Sequence, residues 1–297
     1  MNEFGLALRP ELYRNSEIFD FVRLADASGN ISHVFFPDIA NGNEPIELST
    51  ASLAITKRIK VGSGVLRLTE HDPNILARRL QTIQFLSGNR FVLGIGTGTP
   101  GQNPAQTIER MFSVLAETKR SFSSHGVANF PDVFIAALKP LMARKSIEIA
   151  EGLLLNFCSP AYAKRLADRL GLKDSSKRIA CYIKIFFARK KEDAESLLIE
   201  EFAKYDKFPH YHKMFENDHV SELIASANLG LSQGHISVPE MLTRICLSNP
   251  DTAELNSLLV EFRRSGINLP CVYPYFSVSE SSELKTQAMK LISDACI

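Results

Sequence analysis

Three groups of residues have types and spacings that chemistry can use. In the run RFVLGIGTGTPGQN, from Arg90 to Asn103, an apolar segment passes into Gly96, Gly98 and Gly101, which satisfy G-x-G-x-x-G. Glycines at a strand end let a phosphate or a flat ring approach the backbone, and they permit φ/ψ values that other residues avoid. A tight turn with no ligand uses the same residues. As a dinucleotide fingerprint the pattern is misplaced, because that fingerprint follows a first strand and is answered by an acidic residue about 20 positions later at the end of the next strand. Here the run follows the fourth strand candidate, Pro100 interrupts it, and the nearest acid, Glu117, falls in a helical pattern. The second group is Asp38 in FFPDIANG. A carboxylate there can hydrogen-bond a ligand or steer a proton, or it can cap the turn into Asn41-Gly42. The third is His210 and His212, an H-x-H pair short of a full zinc ligand set; no metal site is expected. His71-Asp72, after the third strand candidate, reads as solvated loop.

The elements that must carry these residues follow a rhythm of short apolar run and amphipathic helix. Strand candidates are FGLAL from Phe4, HVFFPD from His33, IKVGSGVL from Ile59, RFVLGIG from Arg90, DVFIAAL from Asp132, GLLLNF from Gly152, IACYIKIFFA from Ile179 and LPCVYPYF from Leu269. Seven of the eight are followed directly by helical spacing or helix-start signals. Residues 207 to about 250 carry no clear strand signal and read as several short helices. Alternation of strand and helix predicts a parallel sheet with crossover helices. Eight such units in 297 residues fit closure into an α/β, (β/α)8 TIM barrel, with extra helices before strand eight. No linker or composition break divides the chain, so residues 1–297 are read as one domain.

Composition limits the function classes. The net charge of +1 gives no broad footprint for nucleic acid, and no run has the length of a membrane span. The five cysteines, Cys158, Cys181, Cys246, Cys271 and Cys296, include no C-x-x-C, which fits a reduced, cytoplasmic setting.

The run ITKRIKVGSGVLRLTEHDPNILARRLQTIQFLSGNRFVLGIGTG resembles the luciferase-like superfamily of flavin- and deazaflavin-dependent oxidoreductases. Thr56, Gly62 to Val65, Pro73 with Ala77 and Arg78, and Leu86 to Gly98 carry the resemblance. Gly88-Asn89-Arg90 stands where the family often has Gly-Gly-Arg. FPDVFIAALKP, IAEGLLLNFCSP and SGINLPCVYP extend the likeness, and its weakest stretch is 190 to 250. Within the superfamily the pattern resembles that of the methylenetetrahydromethanopterin reductase type.

The resemblance implies a barrel with a flavin-like ring at the strand C-terminal ends. It implies coenzyme F420 as cofactor, with FMN the alternative, and a small-molecule substrate such as a pterin-type C1 carrier. The activities implied are hydride transfer, FMN-dependent monooxygenation, or ligand binding without turnover. Gly64 and Val65 are placed behind the ring at a bulge with a non-proline cis peptide. Thr97 and Gly98 are placed on the ring or ribityl side, and the backbone at Ala137 and Leu138 beside the phosphate, with Lys139 nearby. Asp38 is the candidate catalytic group, although the family's histidine after it is replaced by Ile39. Phe36 or Tyr273 would supply an aromatic wall, since the chain has no Trp. The stretch between Gly98 and Phe130 is shorter than the resemblance implies. A homodimer is expected, and neither nucleic acid nor a membrane as partner.

Overall fold

The computed structural model describes residues 3–14, 16–98, 103–123, 128–172 and 176–295. Pro100, Gly101 and Cys296 lie outside them. Nine parallel strands form the sheet: β1 (Phe4–Ala7), β2 (Ile31–Phe36), β3 (Lys60–Arg67), β4 (Phe91–Gly96), β5 (Asp132–Ala136), β6 (Gly152–Asn156), β7 (Arg178–Phe186), β8 (Leu247–Ser248) and β9 (Leu269–Tyr275). Each of β1 to β6 pairs with the next, β6 pairs with β7, β7 with β9, and β9 with β1. The ring is closed and has eight strands. The expected (β/α)8 barrel is therefore the observed fold. The short β8 was not anticipated; it pairs with β7 alone, at Ile185↔Leu247 and Phe186↔Ser248, and stays outside the ring. Two residues are too few to show any alternation.

The helices are α1 (Glu17–Ser28), α2 (Pro45–Ala54), α3 (Pro73–Ser87), α4 (Pro104–Ser123), α5 (Pro140–Ile149), α6 (Pro160–Leu170), α7 (Lys191–Asp206), α8 (Pro209–Asn217), α9 (Ser221–Ser232), α10 (Glu240–Thr243), α11 (Thr252–Arg264) and α12 (Ser282–Ser293). Local sequence explains their starts. Pro73 opens α3 where its missing N–H is harmless, and Asp72 accepts from the amides of Asn74 and Ile75. Asp72 is thus a helix cap. At α11, Asp251 and Glu254 form a reciprocal capping box. The helices expected between 207 and 250 are α8, α9 and α10. No helix among the described residues is long and apolar enough to cross a membrane.

Strand alternation divides the apolar side chains into two cores. Leu6, Phe36, Leu93, Ile135, Leu155 and Ile183 face outward into the helical layer. Ala7, Phe35, Val92, Phe134, Leu154, Tyr182 and Tyr273 fill the barrel interior. Phe36 is fully buried on the outer side, so it cannot wall the barrel mouth; its neighbour Phe35 takes the inward position. At the N-terminal end of the barrel a polar layer closes the base. There His33 lies 2.8 Å from Ser32 and 3.1 Å from Arg178, and Lys60 pairs with Asp132.

Candidate active site

The C-terminal rim of the barrel has two unlike walls. The first is built from β3 and β4. A side chain on Gly62 would place its Cβ 1.8 Å from the Val92 carbonyl oxygen, and one on Gly94 would place it 2.2 Å from that of Ser63. The absence of both side chains lets the two strands approach closely, and the Ser63 hydroxyl donates to the Gly94 carbonyl at 2.8 Å. Pairing then slips between Ser63 and Leu66. Within that bulge the Gly64–Val65 peptide is cis, as the resemblance implies. From inside the barrel the Tyr182 hydroxyl donates to the Gly64 carbonyl at 2.9 Å. Gly64 has no room for a side chain, since its Cβ would lie 1.8 Å from that hydroxyl. Val65 is partly exposed at the rim, and a Cβ on Gly96 would come within 2.7 Å of it.

Asp38, just beyond β2, spends both carboxylate oxygens on Arg67. One accepts from the Arg67 amide at 2.9 Å and the other from its guanidinium at 3.0 Å. The Asp38 bond holds the Arg67 pKa above its ordinary value. Arg67 also reaches Glu70 at 2.9 Å. Its Nε is buried and has no partner among the described residues. Gly98 adopts φ +69°, where a side chain is strained, and its Cβ would meet the Arg67 stem at 3.0 Å. Thr97 adjoins it, with its hydroxyl 3.4 Å from the Gly98 carbonyl.

The structure therefore brings Asp38, Arg67, Thr97 and Gly98 together, with Gly64, Val65 and Gly96 alongside. Ala136 continues this wall next to Gly96. Ala137 is buried and Leu138 half-buried, at the end of β5, and the Leu138 carbonyl accepts from the Tyr162 hydroxyl. Lys139 is exposed and makes no side-chain cap of α5.

The facing wall, from β6, β7, β9 and α7, is made of large polar side chains. Lys184 and Glu201 form an ion pair, 1% and 5% exposed. The Lys184 ammonium lies 3.9 Å from the Tyr205 ring centroid, 4.7 Å from Phe157, 5.6 Å from Tyr273 and 5.8 Å from Tyr275. Burial opposes charge on both partners, but their mutual attraction, with Tyr205, raises the lysine pKa and lowers that of the glutamate. Asn156 donates to Tyr211 at 2.7 Å and to Tyr205 at 3.3 Å. Tyr273 packs edge-on against Tyr182, with centroids 5.6 Å apart. Burial raises the pKa of Tyr182, Tyr211 and Tyr273, so these phenols keep their protons.

Of this second wall, sequence reasoning found only Tyr273. One signal was present: Lys184 interrupts an apolar strand on its inward-facing parity. His210 and His212 lie away from any metal cluster; His212 pairs with Asp206 at 2.9 Å, and no group among the described residues could hold a metal ion. A hollow of about 460 Å³ lies in the outer helical layer between α2 and α3, where Arg79 bridges Glu44 and Glu47.

The geometry can be set beside known proteins. A family model described as luciferase-like monooxygenase matches residues 5–119. Residues 5–119 resemble that family. The match runs from β1 to α4 and contains the whole of the β3–β4 wall. The 5,10-methylenetetrahydromethanopterin reductase of Archaeoglobus fulgidus is 24% identical over 182 residues, 53% of this chain and 54% of that protein. The chain thus matches about half the length of that curated relative. Among solved structures, an F420-dependent secondary alcohol dehydrogenase in complex with an F420–acetone adduct superposes with a TM-score of 0.73 at 13% identity, covering 99% of this chain and 98% of that one. The oxygenating constituent of 3,6-diketocamphane monooxygenase from Pseudomonas putida, in complex with FMN, superposes with a TM-score of 0.62 at 14% identity, covering 98% and 97%. These likenesses show a shared barrel fold over the entire chain.

The β3–β4 wall also passes a chemical test for a flat ring. It offers a ledge at Val65 beside positions where no side chain stands, and a buried, unpartnered donor at Arg67 Nε next to Gly98. The residues present fit a flavin or a deazaflavin.

Proposed function

We propose that the protein is a luciferase-like oxidoreductase that uses coenzyme F420 and acts on a small organic substrate, with a pterin-type C1 carrier the first to test. The observation that carries this reading is the pairing of walls across the rim. One wall is bare backbone around Val65, and the other is a set of protonated phenols braced by an ion pair. Similarity to an F420-dependent dehydrogenase and to a methanopterin reductase supports the choice of cofactor.

When bound, the deazaflavin supplies hydride transfer; the side chains bind, orient and exclude water. Gly64, Val65, Thr97 and Gly98 would receive the ring, and the backbone at Ala137 and Leu138 the phosphate. Asp38 acts by holding Arg67, whose Nε is available to a ring acceptor. The phenols of the second wall would hydrogen-bond the substrate and keep water out. A homodimer belongs to the same reading, and light scattering checks it.

The test mixes purified protein with F420 and, separately, with FMN, following cofactor fluorescence and then oxidation of the reduced cofactor with candidate acceptors. Tight F420 binding with turnover of an acceptor is expected. The monooxygenase description of the matching family favours a second reading, an FMN-dependent monooxygenase. FMN binding with oxygen consumption would select it.

A further inference from the structure

The two rim arginines are held very differently. Arg67 is paired with two carboxylates, with guanidinium contacts of 3.0 Å to Asp38 and 2.9 Å to Glu70. Arg9 continues the inward series of β1 after Gly5 and Ala7. Its side chain is 23% exposed, and its single bond runs from Nε to Glu11 at 3.4 Å, beyond ordinary N–H···O length. Its two terminal nitrogens form no hydrogen bond among the described residues. Tyr273, Tyr275 and Glu201 lie within its electrostatic reach. Glu201 is already committed to Lys184, with Lys204 at 3.6 Å and the Tyr275 hydroxyl at 3.4 Å. This corner of the rim thus holds Arg9, Lys184 and Lys204 against Glu11 and Glu201, an excess of positive charge.

A guanidinium three-quarters withdrawn from water and loosely paired is an incomplete ion pair. Its free edge has the fork geometry that a carboxylate fills with two parallel bonds. The phenol rings beside it offer a flat apolar face to whatever carries that carboxylate.

We propose that Arg9 is the substrate-orienting cation of the rim, and that the substrate is an organic carboxylate with a planar apolar body lying against Tyr273 and Tyr275. The proposal rests on the rim being the substrate site; it names the substrate class and is independent of which cofactor the facing wall takes.

Benzoate is the probe, titrated into cofactor-free full-length protein by calorimetry, with benzamide as the neutral isostere. Ring signals of isotope-labelled tyrosine, read by NMR, locate the binding. Benzoate is expected to bind at least about tenfold more tightly than benzamide and to shift the Tyr273 and Tyr275 signals. R9Q should lose about tenfold or more in benzoate affinity with little change for benzamide. R9K, which keeps the charge and loses the fork, should fall between. E11Q, which releases Arg9 from its weak partner, should tighten benzoate severalfold, a gain that damage to the fold cannot produce. Equal binding of benzoate and benzamide would overturn the proposal. So would an unchanged R9Q, or no benzoate binding at tens of millimolar. F420 binding, measured by its own fluorescence on wild type and R9Q, separates the two readings. Loss of F420 binding in the wild type defeats the proposed cofactor and leaves the benzoate result standing.

Discussion

The two walls of the rim solve the same problem with opposite materials. The β3–β4 wall positions its surface by leaving side chains out, so that backbone meets backbone at Gly62 and Gly94. The β6–β7–β9 wall positions its surface by filling space with phenols and locking them to a buried ion pair. The first lies wholly inside the stretch that matches the luciferase-like family model; most of the second lies outside it. A backbone surface presents the same groups whatever the neighbouring side chains, and suits a part that many relatives share. A side-chain surface can be revised residue by residue, and suits selection among substrates.

The sharpest challenge to this contrast is K184M. Removing the cation leaves Glu201 buried without its main partner, and unfolding stability should fall by about 3–5 kcal/mol in denaturant titration. The double variant K184M/E201L should recover most of that loss, because two apolar groups replace a balanced pair. If the double variant is as unstable as the single one, the pair does more than balance charge. The next largest effect is on the other wall. G62A drives a Cβ into the Val92 carbonyl and should cost about 1–3 kcal/mol. It should weaken F420 binding while leaving the tyrosine ring signals unchanged. If those signals move as much as in K184M, the walls are not independent. Y182F tests a hydrogen bond that joins them: loss of the donor to the Gly64 carbonyl should cost about 1 kcal/mol.

Two further effects are read by pH. The lowered Glu201 pKa means that its contribution is present above the ordinary carboxylate value of 4.5 and is lost as pH falls through the folded value. Wild type should lose stability there faster than K184M/E201L. The base of the barrel responds earlier. Burial, with Arg178 and Lys60, lowers the His33 pKa from 6.5 to about 3. The buried neutral ring is thus favourable above 6.5, and stability declines below it by about 1.4 kcal/mol per pH unit until the folded value is reached. H33Q should flatten that slope without touching either wall.

The sequence made the first wall readable and the second nearly opaque. Glycines, Pro73 and the apolar run from Phe91 act locally, through the backbone they permit, so their pattern survives in one dimension. Lys184 and Glu201 stand 17 positions apart, on a strand and a helix, and become partners only when the helix folds back on the ring. Tyr182 reaches Gly64 across 118 positions, and no local periodicity records that contact. Asp38 was visible as a carboxylate at a strand end, yet its engagement with Arg67 depends on two strands lying side by side. Phe36 was misplaced because choosing the inward parity of β2 needs the barrel itself.

The outlying strand β8 has a consequence for how such a chain can change. The excursion from Phe187 to Cys246 departs from one rung at the end of β7 and comes back to that same rung, at Leu247 and Ser248. Its two ends are moored side by side, so residues can be gained or shed within it while the ring stays closed. Tyr205 and Tyr211, which meet Asn156 at the rim, ride on that stretch, and variation in its length beyond α7 would redraw one side of the opening while the ring stays closed.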